Sequence, residues 1–110
     1  MAAYSELTLE QYATFTTTVN VQDIQGDALN LSNYTTAAQL RKSYYSSTAV
    51  SFNVFVSNIS TGEITMIMNS ANTANLAPGR YVYDLTITSP TNVKTRVVEG
   101  IVNVLPGVTR

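Results

Sequence analysis

The chain has 110 residues, six of them basic and seven acidic, and contains no cysteine, histidine or tryptophan. One domain of this size buries roughly two thirds of its unfolded surface and folds without a disulfide or a metal staple. Without histidine there is no Ser-His-Asp triad, Cys-His dyad or imidazole metal site, and a formal charge of −1 gives no basic footprint for nucleic acid or an anionic membrane.

Taken in chain order, the apolar pattern alternates with a period of two nearly throughout, as half-buried strands require. An extended N-terminal lead-in over 1–10 carries Leu7 and Leu9. The first long strand, 12–22, sets Ala13, Phe15, Thr17, Val19 and Val21 on one side. Gly26 between Asp23 and Asp27 supplies turn chemistry. These two acids lack the alternating oxygen ligands of a calcium loop, so they read as turn residues. Past Leu29 and Leu31, residues 34–42 form a strand with Tyr34, Thr36, Ala38 and Leu40 on one face. A polar loop over 43–48 precedes a strand over 49–57 that aligns Val50, Phe52, Val54 and Val56.

A hairpin over 58–62 leads into a strand at 63–69, with Ile64, Met66 and Met68 on one face and Ile67 on the other. Ser70 is placed to cap a short helical turn near 70–76. Pro78 and Gly79 then force a reversal at the mouth of a strand that runs to Thr88, with Tyr81, Tyr83, Leu85 and Ile87 inward. A tyrosine just past such a reversal buries its ring while its hydroxyl reaches back to upstream backbone, the tyrosine corner of Greek-key sandwiches. Pro78, Gly79, Tyr81 and Tyr83 are therefore the fold-determining residues. Ser89 to Asn92 turns the chain into a last strand at 94–104, with a tail over 105–110. About seven strands with a tyrosine corner predict an all-β fold, a single immunoglobulin-like antiparallel β-sandwich over 1–110.

The order of these signals also resembles a known group. Asp23, Gly26, Leu31 and Tyr34 are followed by Ala38-Gln39-Leu40-Arg41-Lys42-Ser43 and then by Gly62-Glu63-Ile64. Next come Leu76-Ala77-Pro78-Gly79-Arg80-Tyr81-Val82-Tyr83-Asp84-Leu85, Arg96-Val97-Val98-Glu99-Gly100 and a closing Val104 to Arg110. This series is similar to small tailed-phage virion proteins, in particular to the N-terminal immunoglobulin-like domain of phage baseplate upper proteins. The resemblance implies a structural role at the tail or baseplate, with neither cofactor nor catalysis. Larger members of that group continue into stem and fibre regions, whereas this chain ends after the first domain.

Composition is consistent with a protein that packs among other subunits. Charged residues make up 12% of the chain, about half the usual share. Its polar cover is neutral instead, with 36 Ser, Thr and Asn residues. Phe55, Ile67 and Val82 sit opposite the main apolar sets of their strands, and we read them as candidate subunit contacts. Val97 and Ile101 show the same conflict, which a β-bulge at Glu99-Gly100 would relieve. Arg41, Lys42, Arg80, Lys94 and Arg96 read as a solvated face with cross-strand pairs to Asp84 and Glu99.

Tyr44 and Tyr45, in the polar loop, are the candidate glycan contacts, since aromatic rings stack on sugars, although a plug at the end of the sandwich is the stronger reading for one of them. Sequons occur at Asn30, Asn33 and Asn58 where this Ser and Thr content produces about two by chance, and no visible secretion signal supports them. The seven acids are scattered singly, and no P-loop, Rossmann glycine pattern or zinc spacing occurs. The expectation is thus a non-enzymatic virion structural protein, made in a bacterial cytoplasm without a visible secretory signal, that docks in multiple copies with other virion proteins in a symmetric assembly. No cofactor, metal, nucleic acid or membrane is expected. Capsid decoration or a neck protein is the alternative position, and a glycan-binding adhesion module is the alternative class.

Overall fold

Strands form almost everywhere the sequence alternates. The computed structural model describes residues 3–22, 26–27, 29–43, 45–47 and 49–108. Within them lie β1 (Ala3–Tyr4), β2 (Leu7–Glu10), β3 (Phe15–Asn20), β4 (Thr35–Arg41), β5 (Val50–Ser51), β6 (Asn53–Asn58), β7 (Glu63–Met68), α1 (Ser70–Ala74), β8 (Gly79–Thr88) and β9 (Lys94–Leu105). The larger sheet runs β1-β9-β8-β4-β5, with β2 also on β9, and the smaller sheet runs β3-β7-β6. The two sheets make the expected immunoglobulin-like β-sandwich. Seven of its strands have four residues or more.

Inward positions from both sheets fill the space between them. Leu9, Ile64, Leu85 and Val102 are fully buried, and Leu31, Leu40, Met66 and Met68 nearly so. Phe52 links the layers: its ring lies 6.1 Å from that of Phe15 and 6.4 Å from that of Tyr83, in tilted and edge-on geometries that suit aromatic quadrupoles.

Three local expectations are corrected and one is filled in. The strand expected over 49–57 is two strands. Around Phe52 the chain leaves β4 of the larger sheet and joins β7 of the smaller one, and the Phe52 amide still bonds the Ala38 carbonyl at 3.0 Å. Alternation survives this switch because the inward face stays inward while the backbone changes partners. The extended N-terminal lead-in is itself built into the larger sheet, since β1 and β2 both pair in parallel with β9, from Ala3↔Val98 to Glu10↔Leu105.

The helix is capped by Asn69 rather than Ser70. Asn69 is the last extended residue (φ −74, ψ 164), and its side chain accepts from the Asn72 amide at 2.9 Å. Finally, the bulge falls at Val97 and not at Glu99-Gly100: the register passes from Leu85↔Val98 directly to Thr86↔Arg96. The extra residue turns Val97 onto the core, while Gly100 keeps regular alternation and is buried.

Candidate functional site

The Pro-Gly reversal builds the expected corner. Leu76 is buried beneath it, Gly79 adopts φ 142, and the Tyr81 hydroxyl donates to the Ala77 carbonyl at 2.8 Å. The Lys42 ammonium stands 4.9 Å from the centre of the Tyr81 ring, a cation–π contact. A Cβ on Gly79 would lie 3.2 Å from that ammonium, so the glycine also leaves room for the lysine.

Tyr83 does a different job. Its hydroxyl donates to the Ser5 carbonyl at 2.8 Å, while the Ser5 amide donates to the Glu99 carbonyl at 2.9 Å. These bonds bridge the gap between β1 and β2. Opposite them, Gly100 has no side chain, and a Cβ there would collide with the Ser5 carbonyl oxygen. Burial pushes the Tyr83 phenol above its ordinary pKa of 10.0; the Ser5 side chain offsets part of this and nearby Tyr4 adds to it.

The three candidate contact residues do not share a surface. Phe55 and Ile67 are diagonal neighbours on the outer face of the smaller sheet, since Phe55 faces Thr65 and Ile67 faces Asn53. Phe55 is 45% exposed and Ile67 half-buried. Around them the outward positions are Thr16, Thr18 and Asn20 on β3, Thr65 on β7, and Asn53 and Ser57 on β6, with Glu63 at the margin the single charge among the described residues. The Ser57 hydroxyl donates to the Glu63 carboxylate at 2.7 Å and accepts from Thr65 at 2.9 Å, so hydroxyl groups tie the marginal charge into this face.

Val82 lies on the opposite outer face, between Arg41 and Ile101. That face is charged: Arg96 pairs with Asp84 at 3.3 Å and with Glu99 at 3.6 Å. The cross-strand pairing expected of Asp84 is therefore present, whereas Glu99 meets Arg96 within β9 itself. Arg41 is held locally, donating to the Ser46 carbonyl at 2.8 Å.

Of the candidate glycan contacts, Tyr45 is 97% exposed and so does not plug the sandwich, whereas Tyr44 lies outside the described residues. Asp23 lies outside them too, and among the described residues no group of three His, Cys, Asp or Glu side chains could hold a metal. Nor is any helix there long and apolar enough to cross a membrane. The sequon asparagines Asn30 and Asn58 serve turns, accepting from the Ser32 amide at 2.9 Å and the Ser60 amide at 3.1 Å.

Sequence reasoning missed two features here. One is the clasp of Ser5, Tyr83 and Gly100, for which the signal was a glycine in the middle of a strand pattern. The other is the contrast between a nearly neutral outer face and a charged one, which emerges only when strands distant in sequence are set side by side.

No protein-family model matches this chain, and no curated protein sequence does. Among solved structures, an internalin-like protein of Listeria monocytogenes is similar at 17% identity with a TM-score of 0.50. The match covers 94% of this chain and 28% of that one, so the chain spans well under a third of that neighbour. The likeness is one of fold.

Proposed function

We propose that this chain is a non-enzymatic structural protein of a virion, docking against neighbouring subunits at the tail, baseplate or fibre attachment. The observation that carries the docking part is the outer face of the smaller sheet, where Phe55 and Ile67 sit amid Thr, Ser and Asn with Glu63 as the lone charge among the described residues. A sheet face meant for water normally mixes charges of both signs, whereas the centres of protein interfaces are depleted of charge and enriched in aromatic residues. Phe55 and Ile67 are the proposed contacts on this face. Val82, among arginines and acids on the other sheet, is the weaker of the three candidates.

The virion part rests on the order of motifs that runs from Asp23 to Arg110. Immunogold labelling of purified virions with an antibody against this chain tests it. Gold at one end of the tail is the expected result, and gold spread over the shell would move the protein to capsid decoration. Bare particles that also lack the chain by mass spectrometry would overturn the virion assignment.

A glycan-binding adhesion module is the second reading, favoured by the almost complete exposure of the Tyr45 ring. Binding on a glycan array that is lost in Tyr45→Ala would support it.

A further inference from the structure

We infer that β3 is a self-pairing edge, through which two copies of this chain join their smaller sheets about a two-fold axis. The inference deepens the docking reading above and rests on it, naming a second copy as one neighbour. Sheet edges invite strand addition unless they are guarded by charges, prolines, bulges or cover. The N-terminal edge carries Glu6 and Glu10 and is broken between β1 and β2. At the far side of the same sheet β5 has two residues. In the smaller sheet, β6 has a register shift between Val56 and Asn58, and the Val54 carbonyl lies 3.5 Å from the Thr36 hydroxyl across the sandwich. By contrast, β3 is six residues of Phe-Thr-Thr-Thr-Val-Asn, with no charge, proline or bulge, and among the described residues it is paired on one side only.

The pattern of β3 selects its own copy as the occupant. The Val21 amide bonds the Gly62 carbonyl at 2.8 Å and continues the register of β3 on β7. Backbone groups alternate in direction along a strand, so those of Phe15, Thr17 and Val19 point to β7. Those of Thr16, Thr18 and Asn20 point to the free side. Two-fold antiparallel pairing keeps each sheet face on its own side, so opposed residues must have the same parity. With Thr17 on the axis, Thr16 meets Thr18 of the second copy in a hydrogen-bonded pair, giving about four backbone bonds from these positions. Phe15 then meets Val19 of the second copy on the inward face, and Thr17 meets Thr17.

Aromatic with β-branched, and Thr with Thr, are favourable cross-strand pairs. No like charges meet anywhere along the strand. The pairing also closes an opening of about 210 Å³ beside β3, whose walls include Leu7, Val19, Met66 and Val98, by bringing Phe15 of the second copy next to Val19. It extends the neutral outer face without interruption from one copy to the next.

Sedimentation equilibrium of the purified chain, up to about 1 mM, tests this together with two kinds of variant. In Thr18→Pro the proline removes a donor that faces the free side and leaves the bonds to β7 in place. It should weaken the dimer at least about tenfold while leaving the far-UV spectrum and urea midpoint near those of the parent. Thr17→Cys introduces a single thiol into a chain that has none. At a non-hydrogen-bonded pair on the axis the two Cα atoms stand about 4.5 Å apart, within disulfide range. Mild oxidation should therefore crosslink Thr17→Cys readily and Thr16→Cys far more slowly.

A chain that stays monomeric throughout, or a dimer that Thr18→Pro leaves intact and Thr17→Cys does not crosslink, would overturn the inference. Should Thr18→Pro fail to fold, the crosslinking pair decides. A monomeric result leaves the virion labelling open, and unlabelled virions leave the self-pairing open, so the two readings fail separately.

Discussion

Replacing Gly100 by alanine should release the N-terminal strand without touching the rest of the sandwich. A methyl group at that position occupies the place of the Ser5 carbonyl oxygen, so Ser5 must move off β9. Two hydrogen bonds go with it, from the Ser5 amide to Glu99 and from the Tyr83 hydroxyl to Ser5. The Ser5–Glu99 bond is worth about 1 kcal/mol net, and losing the Tyr83 bond with the buried phenol left unpartnered costs about 1–3 kcal/mol, which gives about 2–4 kcal/mol in all. At this chain length that lowers the thermal midpoint by about 8–16 °C.

Urea unfolding of the parent, Gly100→Ala, Tyr83→Phe and the double variant measures the effect. Tyr83→Phe alone should cost about 1 kcal/mol. The double variant should cost less than the sum of the two, because the alanine has already taken Ser5 away from the hydroxyl. Hydrogen exchange should show Ser5 losing protection in Gly100→Ala while Leu85 keeps it. An unchanged urea midpoint, or strict additivity in the cycle, would refute the clasp.

Other expectations follow from the same contacts. Because burial raises the Tyr83 pKa in the folded chain, folding holds the proton more tightly than the unfolded chain does. This contribution is whole below pH 10 and is lost as pH climbs past the ordinary value of 10.0 through the raised one. Urea midpoints taken from pH 8 to 11 should therefore fall at the alkaline end, and less so in Tyr83→Phe. Tyr81→Phe removes the 2.8 Å bond to Ala77 and should cost about 1–2 kcal/mol, measured by the same melts. Asn69→Ala should cost about 1 kcal/mol through the lost cap, whereas Ser70→Ala should be close to neutral; the reverse order would return the cap to Ser70.

The strands were legible because each alternating run buries one face, and Tyr81, Tyr83, Leu85 and Ile87 go inward as that rule requires. The corner was legible for a local reason, since Pro78, Gly79 and Tyr81 lie within four positions of one another. What stayed hidden depended on partners far along the chain. Nothing near Leu7 says that it pairs in parallel with Val102, and nothing near Phe52 says that the chain changes sheets there. The Val97 bulge was placed at the nearest glycine, yet Gly100 is needed for Ser5 and the extra residue sits where register is lost against Thr86. Phe55, Ile67 and Val82 were grouped because each opposes its own strand's apolar set. A single strand's pattern distinguishes inside from outside, but not which of two outsides.

The parallel pairing of the first and last strands also governs how the domain bears load. Ala3 lies beside Val98 and Glu10 beside Leu105, so tension on the two ends of the chain pulls β2 and β9 along their shared axis in opposite directions. All the rungs between them are then strained together, rather than peeled one after another as in a hairpin drawn apart from its open end. Ser5, gripped by Glu99 and Tyr83, is loaded in the same direction. A sandwich stitched in this way meets a pull on its two ends with all of these rungs at once.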